Sequence, residues 1–151
     1  MRHGFIKVAA MTPKIRVADP VYNAEQICGK LREAYERRAK IIVFPELCIT
    51  GYTCQDLFLQ ELLLKEALGA LKKIAECTRG QEALVFVGLP VERRQKLYNV
   101  AAVLRDGKIL GMIPKTYIPN YGEFYEARHF APGNGATEEF VLDQEKIRFG
   151  S

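Results

Sequence analysis

Two charged residues of this 151-residue chain follow the same kind of segment, an apolar run that a proline ends. Glu46 follows the run 41–44 and a proline, and Lys115 follows the run 108–113 and a proline. Proline has no backbone donor, so it ends the hydrogen-bond ladder of a strand. A carboxylate at a strand end can act as a general base, and an ammonium there can stabilise a developing oxyanion.

The position of Glu46 favours a working carboxylate. Sheets of α/β proteins place their ligand crevices at the carboxyl ends of strands, and the apolar neighbours Phe44 and Leu47 would partly desolvate the carboxylate. The alternative is a surface glutamate in a loop, and Lys115 alone could equally be a solvated lysine. Glu123, eight residues after Lys115, is a second acid that could join the same constellation.

Strand and helix patterns predict how these residues are positioned. Asn23 with Gln26 three residues later forms a capping box that predicts a first helix, and apolar spacing of 3.6 over 61–77 predicts a second. Asp106-Gly107 is a strong hairpin signal. The predicted strands are 4–11, 41–44, 83–89, 97–104, 108–113, 140–142 and 146–149. Alternation followed by hairpins predicts an α/β fold whose sheet is parallel first and antiparallel later.

Composition excludes several classes of function. The net charge is only +4, and the basic groups at 37–40 and 93–96 lack interleaved aromatics, so we expect solvated surfaces and no nucleic-acid partner. No apolar stretch reaches about 18 residues, and the polar start at 1–3 does not resemble a signal peptide, so no membrane partner is expected. The four cysteines form no CxxC pair, which predicts no metal site and reduced thiols in the cytoplasm.

Two long motifs resemble the nitrilase superfamily. They are FPELCITGY at 44–52 and PKTYIPNYGEFYEARHF at 114–130. More narrowly, they resemble the N-terminal glutaminase domain of glutamine-dependent NAD synthetases. GFIKVAAMTP at 4–13, CQDLF at 54–58 and GLPVE at 88–92 match the same family. The resemblance covers nearly the whole chain, with the two motifs in the family's order and spacing.

The resemblance implies hydrolysis of an amide by a Glu-Lys-Cys triad. Glu46 would be the general base that takes the thiol proton, and Lys115 would stabilise the oxyanion. Glu123 would be the family's second glutamate, which positions the lysine and the substrate, and Tyr52 and Tyr121 would line the glutamine pocket. The cysteine would attack the side-chain amide of glutamine, release ammonia and leave a thioester for water to hydrolyse.

The sequence departs from the family at the nucleophile. The family's cysteine follows the lysine, but no cysteine follows Cys77 here. Cys48 and Cys54 both precede Lys115 and are interpreted as packing thiols, and Cys28 and Cys77 as buried or inert residues on helices. We therefore expect this chain to lack glutaminase activity, although the parent protein would be a carbon-nitrogen hydrolase.

The implied fold is a four-layer αββα sandwich, of which residues 1–151 would supply about the first half. Ammonia would pass to a synthetase domain of the parent chain that uses ATP and Mg. That domain is absent here, so we expect no cofactor for this part itself. The sheet surface that the other half covers in the family would be exposed and apolar, so we expect a homo-oligomer.

Two alternatives stay open. The chain could be part of another nitrilase-family amidohydrolase, and a synthetase domain encoded downstream in the parent gene would distinguish the two. It could also be a naturally short, non-catalytic scaffold or pseudo-enzyme, which a native stop codon after Ser151 would support.

Overall fold

The computed structural model describes residues 4–150, so the predicted domain 1–151 extends past it at both ends. The polar start at 1–3 lies outside the described residues. Within them, the chain forms one mixed sheet of seven strands, in the order β1-β2-β3-β4-β5-β7-β6, and two α-helices. The strands are β1 (Val8–Ala10), β2 (Ile41–Val43), β3 (Leu84–Arg93), β4 (Lys96–Arg105), β5 (Lys108–Pro114), β6 (Glu138–Leu142) and β7 (Glu145–Phe149). The helices are α1 (Pro20–Glu36) and α2 (Glu61–Glu76), with short 3-10 helices at Gln55–Leu59 and Glu126–Arg128.

The direction of the strands changes along the sheet as predicted. β1, β2 and β3 are parallel, whereas β4 is antiparallel to both of its neighbours, β3 and β5. β7 pairs parallel with β5 and antiparallel with β6. The hairpin between β4 and β5 places Asp106 at φ 49° and Gly107 at φ 76°, the left-handed backbone that a two-residue turn of this kind needs. The predicted α/β fold and this hairpin are therefore confirmed.

The first helix begins earlier than its sequence suggested. Pro20 occupies the first turn, where its fixed φ suits a helix and its lack of a donor costs nothing. The Asp19 side chain caps the helix by accepting a backbone N–H. The prediction of Asn23 as N-cap is wrong: Asn23 is fully buried, and its side chain bonds to the backbones of Arg16 and Ile49.

Both helices pack on one face of the sheet. Alternate strand residues meet the apolar stripes of α1 and α2 there, and they form one continuous core. Its fully buried large side chains include Ile27, Leu31, Leu71, Ile74, Ile42, Val85, Leu89, Leu104 and Met112. Burying each such side chain contributes about 1.5–3 kcal/mol, which holds the strands that carry the site in place. Among the described residues, neither helix has both the length and the apolar character needed to cross a bilayer.

The opposite face of the sheet, here called the open face, carries exposed apolar side chains. Val8 on β1 is 63% exposed, Val43 on β2 45% and Ile113 on β5 42%. Phe86 on β3 and Ala101 on β4 lie on the same face. Along each strand they alternate with the residues that are buried against the helices. The expected exposed apolar surface of the sheet is present in the structure.

Cys28 on α1 and Cys77, the residue after α2, form a disulfide with their Cα atoms 5.9 Å apart. The expectation of reduced thiols is wrong for this pair. The two residues are separated by 49 positions, and only the packing of α1 against α2 brings them together. Cys48 and Cys54 are free and buried, in agreement with their interpretation as packing thiols.

We expect the disulfide to be measurable by counting thiols. In denaturant without reductant, an alkylating reagent should modify two cysteines, and after reduction all four. Reduction should lower the free energy of unfolding by about 2–4 kcal/mol, because the bond closes a long loop in the unfolded chain. The Cys28→Ser/Cys77→Ser double variant should unfold identically with and without reductant. Alkylation of four cysteines before reduction would contradict the assignment.

Candidate active site

Three strands bring the candidate residues to one edge of the sheet. β4 runs antiparallel to β3 and β5, so its start lies beside the carboxyl end of β5. The Lys115 N–H donates to the Asn99 carbonyl at 2.8 Å, which fixes the residue after β5 against β4. On the other side, the Phe44 N–H donates to the Phe86 carbonyl at 2.9 Å and extends the ladder of β2 by one residue. Glu46 follows directly after the proline.

Lys115 and Glu46 meet at this edge. The Lys115 Nζ lies 2.7 Å from Glu46 Oε1, although the two residues are 69 positions apart. The same Nζ lies 3.0 Å from both carboxylate oxygens of Glu126. The lysine ammonium is therefore held between two carboxylates.

The structure brings Glu126 against Lys115 and not the predicted Glu123, so the prediction for Glu123 is corrected in this respect. Glu123 is exposed, whereas the Glu126 side chain is only 4% exposed. Glu126 opens the 3-10 helix after the loop, and its carbonyl accepts the N–H groups of His129 and Phe130. The sequence gives little sign of this choice, because the segment that carries both glutamates lacks a helix or strand periodicity.

Of the two predicted pocket tyrosines, Tyr52 contacts the charged cluster and Tyr121 lies at the surface. The Tyr52 hydroxyl donates to Glu126 Oε1 at 2.8 Å. Burial, followed by the hydrogen bond and charge of Glu126, raises the pKa of Tyr52 to about 12, so the hydroxyl keeps its proton at neutral pH. Tyr121 is 71% exposed and packs edge-on against Phe124.

Asn99 completes the cluster, and sequence reasoning missed it. It is 3% exposed on β4, and its side-chain nitrogen donates to Glu46 Oε1 and, at 3.5 Å, to Glu126 Oε2. A single asparagine in an apolar strand gives little sign of function. The available signal is that strand alternation places Asn99 on the same face as Ala101, the face that turns away from the helices.

The two carboxylates determine the charge state of Lys115. Burial alone would lower the pKa of the ammonium, but hydrogen bonds and charge from Glu46 and Glu126 outweigh it and raise the pKa above its ordinary value. The lysine therefore stays cationic at neutral pH. A fixed ammonium at a strand end can stabilise an oxyanion that forms beside it.

A close backbone contact fixes the position of Glu46. A Cβ atom on Gly88 would lie 2.3 Å from the Leu47 nitrogen and 2.9 Å from the Glu46 carbonyl carbon, so only glycine fits. The Gly88 carbonyl accepts the Ile49 N–H at 3.1 Å. Leu47 has a φ of 50°, a left-handed conformation that is costly for a branched side chain and persists where the surroundings enforce it.

The two free cysteines close to Glu46 are poor nucleophiles. Burial raises the pKa of Cys48 to about 11, and its sulfur contacts the Gly88 carbonyl. Burial also raises the pKa of Cys54. Both thiols are therefore protonated at neutral pH, and the thiolate is the reactive form of cysteine.

Two cavities border the cluster. Glu46, Asn99 and Lys115 line a groove of about 870 Å³ on the open face. Glu126 and Tyr52 line a second cavity of about 390 Å³. Both volumes lie in the range of small-molecule sites. Residues 4–150 contain no group of three or more His, Cys, Asp or Glu side chains that could hold a metal ion.

The difference between Glu123 and Glu126 can be tested with a matched pair of variants. Glu126→Gln should lower the free energy of unfolding by about 1–3 kcal/mol, because it removes the buried negative charge that pairs with the Lys115 ammonium. Glu123→Gln, at an exposed position, should change it by about 0.5 kcal/mol or less. Urea unfolding at pH 7 measures both. Equal effects, or a larger effect of Glu123→Gln, would contradict the assignment of Glu126 as the glutamate that pairs with Lys115.

Comparison with known proteins relates this chain to a protein family. The carbon-nitrogen hydrolase family matches residues 7–150. The chain is 36% identical over 150 residues to a glutamine-dependent NAD(+) synthetase of Mycobacterium bovis, covering 99% of this chain and 22% of that protein. It is 41% identical over 117 residues to the synthetase of the same name from Aquifex aeolicus, covering 78% of this chain and 20% of that protein.

Solved structures agree with the sequence comparisons. A glutamine-dependent NAD(+) synthetase from Cytophaga hutchinsonii superposes with a TM-score of 0.90 at 29% identity, over 96% of this chain and 25% of that one. An amidase from Nesterenkonia shares the fold, with a TM-score of 0.72 at 22% identity, over 98% of this chain and 56% of that one. The chain thus spans about a fifth to a quarter of the synthetases that it matches. The chain belongs to the carbon-nitrogen hydrolase family.

Proposed function

We propose that this chain supplies the general base and the oxyanion-binding cation of an amide-hydrolysing site. The observation that carries the proposal is the Lys115 ammonium, which lies 2.7 Å from Glu46 and 3.0 Å from Glu126 and lines the groove on the open face. A base next to a fixed cation suits attack by a thiol on an amide carbonyl. Glu46 is 42% exposed and so accessible from the groove.

Each residue has one role in this proposal. Glu46 takes the proton from a cysteine thiol, the sulfur bonds to the amide carbon, and Lys115 stabilises the resulting oxyanion. When the carbon–nitrogen bond breaks, the proton on Glu46 goes to the leaving nitrogen, which departs as ammonia. Water then attacks the thioester carbon while Glu46 takes a proton from it. The carbon–sulfur bond breaks, the carboxylic acid leaves, and the proton on Glu46 returns to the sulfur. Glu126, supported by Tyr52, holds the lysine in place.

We propose glutamine as the amide and an ATP-dependent synthetase domain of the same polypeptide as the acceptor of ammonia. The support is the name shared by the relatives, glutamine-dependent NAD(+) synthetase, together with 36% identity over 99% of this chain. ATP and Mg would serve that second domain, and no cofactor is assigned to the residues described here. A cytoplasmic location stays a prediction.

The nucleophile is proposed to lie outside this sequence. No cysteine follows Cys77, and burial keeps the thiols of Cys48 and Cys54 protonated. The two remaining cysteines are joined as a disulfide. We therefore propose that the 151-residue chain alone does not hydrolyse glutamine.

Ammonia release from glutamine tests the proposal. The chain as given should be inactive, and the gene product extended past Ser151 should be active. In the extended protein, Glu46→Gln should lower ammonia release by about 10²–10⁴-fold, the usual contribution of a general base. Glu123→Gln is the matched control at an exposed glutamate and should retain activity within about threefold.

Each of the other outcomes would contradict a different part of the proposed function. Release of ammonia by the 151-residue chain would make Cys48 or Cys54 the nucleophile and would overturn the assignment of roles. An extended protein that hydrolyses other small amides but not glutamine would indicate a different amidohydrolase. An extended protein without amidase activity would favour the scaffold alternative.

The exposed apolar side chains of the open face predict that the protein associates with itself. We propose that the chain forms homo-oligomers through this face, because it presents contiguous apolar side chains on neighbouring strands. Sedimentation velocity should show association that increases with protein concentration. Val43→Lys, on the open face, should weaken it, whereas Val21→Lys, at a similarly exposed valine on α1, should not. A monomer at every concentration would contradict the proposal.

A further inference from the structure

We propose that Asn99 is a positioning residue, whose side-chain amide holds the carboxylates of Glu46 and Glu126 at a fixed separation around Lys115. The inference deepens the proposed function and rests on it, because it assigns Asn99 a part in the same site. Asn99 contacts every charged member of the cluster, directly or through its backbone.

The side-chain contacts determine how the amide is oriented. Carboxylates only accept hydrogen bonds when ionised, so the –NH₂ group of Asn99 must face them and its carbonyl oxygen must face away. The –NH₂ group has two hydrogens, one for Glu46 Oε1 and one for Glu126 Oε2. Asn99 can therefore bridge the two carboxylates, which no other uncharged residue of the described cluster does.

The backbone of the same residue fixes the lysine. The Asn99 carbonyl accepts the N–H of Lys115 at 2.8 Å, so the strand position that orients both carboxylates also sets the origin of the lysine side chain. Asn99 is 3% exposed and lies within the paired stretch of β4 and β3, with paired residues on both sides of it. Its amide is therefore held rigidly and can hold other groups in turn.

Loss of the amide would affect the two glutamates unequally. Glu126 is 4% exposed and keeps its bonds to Lys115 and Tyr52. Glu46 is 42% exposed, and without Asn99 it would be held by Lys115 alone. Repulsion between the two carboxylates would then move Glu46 into the solvent of the groove. The base would spend less time where a thiol could reach it, which lowers the rate of the chemical step more than substrate binding.

Variants of similar size separate positioning from packing. Asn99→Leu keeps the number and branching of the side-chain heavy atoms without a donor, and Asn99→Asp keeps the shape but replaces the donor by a third carboxylate. Asn134→Asp, at an exposed asparagine in a turn, is the matched control. In the extended protein, we expect kcat for ammonia release to fall by about 10–100-fold in both Asn99 variants, with KM within about threefold. The control should keep both constants.

A second measurement uses the 151-residue chain and requires no activity. In ¹H–¹⁵N spectra, the side-chain amide signals of Asn99 should move by more than about 0.3 p.p.m. in ¹H upon Glu46→Gln, because a charged acceptor shifts the bonded proton more than a neutral one. Glu123→Gln should leave them in place. This measurement tests the contact between Asn99 and Glu46 even if the Asn99 variants do not fold.

The outcomes separate the two proposals. An Asn99→Leu protein that unfolds at the wild-type temperature and retains kcat within twofold would overturn the positioning role, as would Asn99 amide signals that do not respond to Glu46→Gln. An extended wild-type protein that hydrolyses no amide would instead overturn the proposed function. A fall in kcat at nearly constant KM, together with the spectral response, is the expected result.

Discussion

The site depends on one ammonium group shared by two carboxylates. Lys115 is 69 positions from Glu46 and 11 from Glu126, so one partner must come from a distant strand and the other from a nearby loop. A lysine with a single partner at a sheet edge could rotate towards solvent, since surface pairs contribute little. Two partners remove that freedom and keep the charge where an oxyanion can form. The sheet and the loop are both required for this arrangement.

The open face places this cluster beside a surface that could bind a ligand. The helices cover one side of the sheet, and the core on that side packs against β2, β4 and β5. The charged groups emerge at the strand ends on the uncovered side, where Glu46 and Lys115 line a groove. The arrangement separates stability from chemistry: the helix-covered face holds the backbone, while the open face remains available for the substrate and for further polypeptide.

Local patterns could predict the parts of the site that depend on single strands. An apolar run followed by proline and a charge marked Glu46 and Lys115 as candidates, but it left them open to interpretation as solvated side chains. The two long motifs shared with a known family were needed to choose between these interpretations. The choice between Glu123 and Glu126 depended on how an irregular loop turns, and periodicity does not specify that. Asn99 acquires its role only from strand register, and the Cys28–Cys77 bond only from the packing of two helices. Interactions between elements were therefore the part that the sequence did not reveal.

A small second core links the two glutamates. Leu47, the neighbour of Glu46, packs in the same apolar cluster as Phe58 and Phe130, and Phe130 follows Glu126 by one helical turn. The Phe58 and Phe130 rings meet edge-on at 5.0 Å, so the end of the loop is anchored to the segment that follows Glu46. The strained backbone of Leu47 is tolerated because this cluster buries its side chain completely. The same apolar contacts that offset this strain thus also set the distance between the base and the second carboxylate.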